Sequence, residues 1–241
     1  MTSRGRRMTR RLSRRWMTRG IDSDLRHTAI VNMQPAQRAA EQYDNAYSRE
    51  GYYWSKTPSP LCFEILRRLP PDRPLKLLDI GCGQGRNAVF LARNGYQVHA
   101  YDISEVGIRK TKSLAAEAGV SVQAFVADLT SYRPDQSFDI LFSTGVLHCL
   151  PPEARDEWFD HFKRHTTPGG MHVFSVFVRK PFIPPPPDAD PNASEWRSGE
   201  LLGRYHDWRV EWSIEEIFDC MSSGIPHQHC VNRVIARKVE P

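Results

Sequence analysis

"LLDIGCGQGRNAVFLA", residues 77–92, sets three glycines into five positions between an apolar run and a helical pattern. A chain that turns so tightly where a strand ends, and opens a helix at once, brings bare backbone close to something. "LKLLDI" (75–80) reads as a buried strand from its length and lack of alternation. A helix over 84–94 follows, stopped by Asn94-Gly95. Working outward, "YQVHAYDIS" is a second strand and a helix over about 104–118 ends at Gly119. "VQAFVADL" makes a third strand and "FDILFSTG" a fourth.

In "PPEARDEWFDHFKRHT", Pro151 or Pro152 can open a helix, and Ala154, Trp158 and Phe162 recur at helical spacing. A turn, "TPGG", then leads into "MHVFSVFV" as a fifth strand. Alternating strands and helices of this kind build a parallel sheet covered on both faces, so the expected class is α/β, doubly wound. "HQHC" (227–230) has the alternation of a strand near the C-terminus. No metal is expected there, because a four-ligand zinc site needs a second cluster and none is visible along the chain.

A length of 241 residues suits one domain plus a tail, and 40% hydrophobic with 25% charged residues is ordinary for a soluble globular chain. No stretch approaches the roughly 18 apolar residues of a membrane span. The net charge of +5 is unevenly placed: residues 1–20 hold eight arginines and no acid. Without that segment, 25 basic side chains face 28 acidic ones. Residues 1–34 are therefore expected to be a basic, disordered or non-native extension ahead of a domain over 35–241, a targeting segment being the weaker reading. Five cysteines with no CxxC pair point to reduced thiols and a cytoplasmic setting.

In a parallel sheet with right-handed crossovers, the ligand crevice lies at the carboxyl ends of the strands. Gly81, Gly83 and Gly85 stand at such an end, and at least one is expected to take a positive φ. Asp102, at the end of the second strand and 21 residues past Gly81, can accept two hydrogen bonds from a ribose diol. The spacing is GxGxG rather than GxGxxG, with Arg86 where a third fingerprint glycine would stand, which disfavours a pyrophosphate ligand. Asp79, two residues before Gly81, suits a cation better than a phosphate.

A cationic nucleoside is S-adenosylmethionine, and "LLDIGCGQGRNAVFLA" resembles motif I of the class I methyltransferases. "YDIS", "ADL" and "FDILFSTGVLHCL" are similar to the motifs that follow the second, third and fourth strands of that family. "CGQGRN" and "GELLGRYHDWRVEW" resemble the tellurite-resistance methyltransferases, a small-molecule branch, over roughly residues 40–238. The resemblance implies a mostly parallel seven-stranded sheet with an antiparallel C-terminal strand. It implies that Asp79, Gly81, Gly83 and Gly85 wrap the methionine end of the cofactor and that Asp102 holds the ribose. Asp128 and Leu129 would meet the adenine, Ile103 would pack on the base, and Ser143 would lie on the cofactor side of the fourth strand.

Methyl transfer is an in-line displacement at an already activated carbon, so positioning outweighs acid–base power. For a hydroxyl or ammonium acceptor, His148 is the candidate base, its alternative being a packed core histidine. For an anionic acceptor, Arg86 and Arg179 lie by topology on the ligand face. The proline-rich segment 179–198 is either a lid or a surface insertion, and the tyrosines of 43–54 either close the cofactor side or fill the core. The expected partner is a small-molecule acceptor. A nucleic-acid partner is disfavoured, since "STGVLHCL" stands where base-amine methylation places an Asn-Pro-Pro-Tyr type motif. A non-catalytic nucleoside-binding module and a nicotinamide enzyme remain the competing readings.

Overall fold

The computed structural model describes residues 34–187, 193–221 and 224–240. Apart from Gln34, the expected basic extension lies outside the described residues. Two compact units, Met1–Arg38 and Ala39–Pro241, divide the chain, and the sheet lies wholly in the second. Helices α1 (Pro35–Tyr47) and α2 (Pro60–Arg68) precede β1 (Lys76–Ile80), α3 (Arg86–Arg93), β2 (Gln97–Asp102), α4 (Glu105–Glu117) and β3 (Val122–Val126). Then come β4 (Phe138–Thr144), two 3-10 turns (Leu147–Cys149 and Pro152–Ala154), α5 (Arg155–Arg164), β5 (Thr166–Val178), the one-turn α6 (Glu200–Gly203), β6 (Arg209–Cys220) and β7 (His227–Arg237).

The strands form one seven-stranded sheet in the order β3-β2-β1-β4-β5-β7-β6. β1 to β5 run parallel, whereas β7 is antiparallel to both β5 and β6. The order reverses direction between β1 and β4, the switch point where a doubly wound sheet opens its crevice. Continuous apolar runs put successive residues of one strand into opposite layers. Leu77 packs with α2, α3 and α4 among Ile65, Leu91 and Ile108, while Leu78 packs with Trp158, Phe159 and Phe162 of α5.

Local signals fix the helix ends. Ser59 accepts from Leu61 N and Pro60 starts α2, Ser104 accepts from Gly107 N to start α4, and Gly95 at φ +97° ends the chain's run after α3. The expected "TPGG" turn is instead part of β5. Its pairing jumps from Phe138↔Thr166 to Ile140↔Met171, leaving the intervening residues bulged. Two observations account for this: the end of β7 pairs with the bulge, Gly169 N donating to Lys238 O and Lys238 N to Gly170 O, and a Cβ on Gly170 would sit 2.7 Å from Asp139 O.

The described parts of the proline-rich segment leave β5 and return to it. Trp196 bridges Val178, its N–H donates to Phe177 O, and Arg179 N donates to Trp196 O. Phe182 stays exposed while Trp196 is fully buried. Trp196 is therefore a core anchor for the loop's return rather than a contact on a lid. No helix among the described residues is long and apolar enough to cross a membrane.

Candidate functional site

The glycine turn is tied to the second strand before it reaches α3: Gly81 N and Cys82 N both donate to Tyr101 O, at 2.9 and 3.0 Å. All three glycines take positive φ, at +71°, +56° and +86°. At Gly81 a Cβ would lie 2.6 Å from Val146, two residues past the end of β4, so the missing side chain there accommodates protein. At Gly85 a Cβ would meet Thr111 of α4 at 2.8 Å. Gly107, also on α4, lies so close that its own Cβ would be 2.8 Å from Gly83 O, and Thr111 Oγ1 donates to that carbonyl. Tyr47 of α1 covers the third side, its hydroxyl 3.1 Å from where a Gly83 side chain would begin.

Tyr47 belongs to the aromatic segment that the sequence offered for closing this side, whereas sequence reading did not find Val146, Thr111 or Gly107 in this role. Only Gly107, a glycine inside a helical pattern, carried a signal that could have found it. The expected aromatic segment does gather at the turn: Tyr53 N donates to Gln84 Oε1 at 2.7 Å and Arg86 Nη1 to Trp54 O at 2.9 Å.

Two carboxylates meet behind the turn. Asp102 Oδ2 accepts from Gly83 N at 2.8 Å and Oδ1 from Ser104 N at 2.9 Å, and each oxygen retains a second acceptor direction. Burial pushes this carboxyl up to about 6, although the Ser104 and Gly83 amides pull it down. Asp79, 1% exposed, goes further: burial, then the nearby Asp102 charge, raises it to about 7, with the Arg86 guanidinium opposing. Asp79 Oδ2 and Gln84 Nε2 are both buried without a hydrogen-bond partner. One is an acceptor and the other a donor, each at a cost of about 1–3 kcal/mol while unpaired.

The remaining expected residues are spread along the strand tips. Ile103, next to Asp102, is half-buried. Asp128 folds back on its own turn, accepting from Thr130 N at 2.8 Å and Thr130 Oγ1 at 2.6 Å, and Leu129 belongs to the core. Ser143 is fully buried and donates to Ile80 O at 3.1 Å, fixing the last carbonyl of β1. Asn87 links α3 to its surroundings, accepting from Ser59 N at 2.8 Å and donating to Thr144 Oγ1 at 3.3 Å.

His148 occupies the 3-10 turn after β4, buried, its ring 5.4 Å from that of Phe177. The returning loop holds this turn: Ser194 N donates to His148 O at 2.7 Å and Trp196 Nε1 to Leu147 O at 3.2 Å. Arg155, itself buried, ties the same loop down through Leu150 O, Ser194 O and Glu200. Arg179 is exposed at the carboxyl end of β5. Thus Asp79, Asp102 and the glycines form one unit, His148 and Arg179 are tied by the Trp196 segment, and Arg86 is bound to the tyrosine-rich segment.

Residues 77–170 match the profile of a methyltransferase domain. This stretch of the chain is thus similar to a methyltransferase domain. It is 28% identical over 135 residues to the probable S-adenosyl-L-methionine-dependent methyltransferase TehB of Haemophilus influenzae, covering 56% of this chain and 46% of that protein. It is 29% identical over 143 residues to the 2-heptyl-1-hydroxyquinolin-4(1H)-one methyltransferase of Mycobacteroides abscessus, covering 58% of this chain and 60% of the relative. The chain spans about half the length of the curated relatives it matches. The crystal structure of TehB from Haemophilus influenzae superposes with a TM-score of 0.65 at 23% identity, over 73% of this chain and 61% of that one, which establishes a shared fold.

Proposed function

We propose that this domain moves a methyl group from S-adenosylmethionine to a small-molecule acceptor by in-line displacement. The observation that carries this reading is the buried, unpartnered Asp79 oxygen behind the glycine turn. An acceptor that costs free energy while empty is matched by a ligand that brings its own cation. The α-ammonium of the cofactor's methionine end supplies one, and the orphaned Gln84 amide suits the carboxylate of the same group. When bound, S-adenosylmethionine supplies a methyl group made electrophilic by its positive sulfur.

In this reading Asp102 accepts from the ribose hydroxyls with its remaining lone pairs while the Gly83 and Ser104 amides fix its rotamer. Ile103 packs on the base, and the Asp128–Leu129 turn, held by Thr130, presents backbone to the adenine edge. Gly81, Gly83 and Gly85 shape the turn, and Ser143 positions it through Ile80 O. Val146, against Gly81, brings the tip of β4 up to the methionine end, and His148 and Phe177 lie beyond it on the acceptor side.

For the acceptor we favour an anion, including a chalcogen oxyanion, because Arg179 is exposed at the strand tip and makes no ion pair among the described residues. Arg86 contributes positive potential from the cofactor side. A hydroxyl, amine or thiol of a metabolite is the second reading, favoured by His148, whose ring lies buried against Phe177 at the same edge. The test is an acceptor screen that follows S-adenosylhomocysteine release. An anion preference that falls at least about tenfold in kcat/KM with Arg179→Gln supports the first reading. Turnover of neutral acceptors in the parent protein, lost in His148→Gln, supports the second. No cofactor binding by calorimetry defeats both.

A further inference from the structure

Outside the nucleoside crevice, the β6–β7 hairpin assembles a set of metal-ligating side chains that linear spacing does not reveal. Cys220 is the last residue of β6 and its register partner is His227, the first residue of β7. His229 lies two residues along β7, opposite Phe218. Partners across an antiparallel ladder share a face, as do residues two apart on one strand, so the register alone places Cys220, His227 and His229 together. One ligand atom of each lies within 4.8 Å of the others. Cys230, the residue after His229 on β7, alternates to the opposite face and is buried in the core.

We propose that Cys220, His227 and His229 form a binding site for a Zn²⁺-class ion, three protein ligands leaving a fourth position for water or an anionic ligand. Thiolate and imidazole are the donor types such ions take. In a tetrahedral site the donor atoms stand about 3.3–3.6 Å apart, given Zn–N and Zn–S bonds of about 2.1 and 2.3 Å. Side-chain rotation brings the set to that spacing: separations of up to 4.8 Å close, and the 2.9 Å contact between the two imidazole Nε2 atoms opens. Tautomer and orientation are already set: His227 Nδ1 lies 2.7 Å from Ile225 O, so that nitrogen carries the proton and donates it. The lone pair is thereby left on Nε2, the atom that faces His229 Nε2 at 2.9 Å. A carbonyl accepting the far N–H of a ligating imidazole is the usual support of a metal-bound histidine. Two imidazole nitrogens this close share a proton in the absence of a metal, and an ion replaces that proton.

The hairpin tip lies beside the carboxyl end of β5, since Val178 pairs with Cys230. The His229 ring is 4.7 Å from that of Phe177, whose other contact is His148. An ion here sits one aromatic ring away from the acceptor side of the crevice.

The probe is Zn²⁺ alone, titrated into the full chain against a chromogenic chelator, with Co²⁺ substituted for spectroscopy. The expected result is one equivalent bound in about the micromolar range or tighter. The Co²⁺ form should show a thiolate charge-transfer band and the intense visible bands of four-coordination. Cys220→Ser and His229→Ala should each weaken binding at least about tenfold, Cys220→Ser abolishing the charge-transfer band, while Cys230→Ser leaves both unchanged. His227→Gln is the alternative if one of these variants does not fold by circular dichroism. Absence of a stoichiometric site in the folded parent protein overturns the proposal. So does binding undiminished in the Cys220 and His229 variants, which would place the ion elsewhere, for example at the stacked His161–His165 pair.

Discussion

Replacing Asp79 by Asn removes the charge of a carboxyl that burial has raised from 3.8 to about 7. At about 1.4 kcal/mol per pH unit, ionising Asp79 in the unliganded fold is roughly 4 kcal/mol harder than in water. A ligand ammonium that recovers half of this binds the native protein about 30-fold more tightly than Asp79→Asn above pH 7. The affinity of the native protein should rise about tenfold per pH unit from pH 5.5 towards 7 and level off above it, because binding expels a proton. Asp102, displaced to about 6, adds to the lower part of that rise and remains in the variant. Calorimetry with S-adenosylhomocysteine in two buffers of different ionisation enthalpy reads this directly, as release of about one proton per ligand near pH 6. Affinity flat from pH 5.5 to 8, together with an Asn variant that binds equally well, would refute the placing of the cofactor's ammonium on Asp79.

Four further outcomes follow from the same geometry. Both carboxyls are raised on folding, so their stabilising protonated form is fully present below about pH 4 and lost as pH passes through 6 and 7; thermal scans should show that fall in the unliganded protein and its reversal by cofactor. Gly81→Ala should abolish cofactor binding, since its Cβ meets Val146 at 2.6 Å, and Val146→Ala should restore little of it, because Val146 Cβ is itself at 2.6 Å and the φ of +71° remains. Trp196→Ala should cost about 3–5 kcal/mol in denaturant unfolding, an effect absent if the returning loop were merely surface. Arg155→Met should be less damaging than Glu200→Ala, which leaves a buried guanidinium without its charge partner; equal losses in urea titrations would contradict that.

The succession of strands and helices along the chain from β1 to β5 was legible because apolar runs and glycine stops agree with one another. The carbonyl-end carboxylate at Asp102 was equally readable, its place at the end of β2 following from the strand pattern. What the sequence hid are contacts made by residues far apart along it. Val146 against Gly81 and Thr111 against Gly85 join segments that no local period relates. "TPGG" misled for a similar reason: turn chemistry was overridden by pairing with Lys238, some seventy residues later. The burial of Trp196 beneath the Leu147 turn was not legible, because it depends on where the loop comes back, and composition carries no record of that.

That return has a wider consequence. Because the excursion after β5 is fastened at its base on both sides, by Arg179 to Trp196 and by Trp196 to Phe177, its outer portion can be lengthened, shortened or rewritten without unzipping the sheet. The same fastening reaches His148 through Ser194, so change at the periphery is felt by the acceptor edge and not by the glycine turn. On the proposed reading, a scaffold wired in this way can alter its choice of acceptor while leaving untouched how it grips its methyl donor.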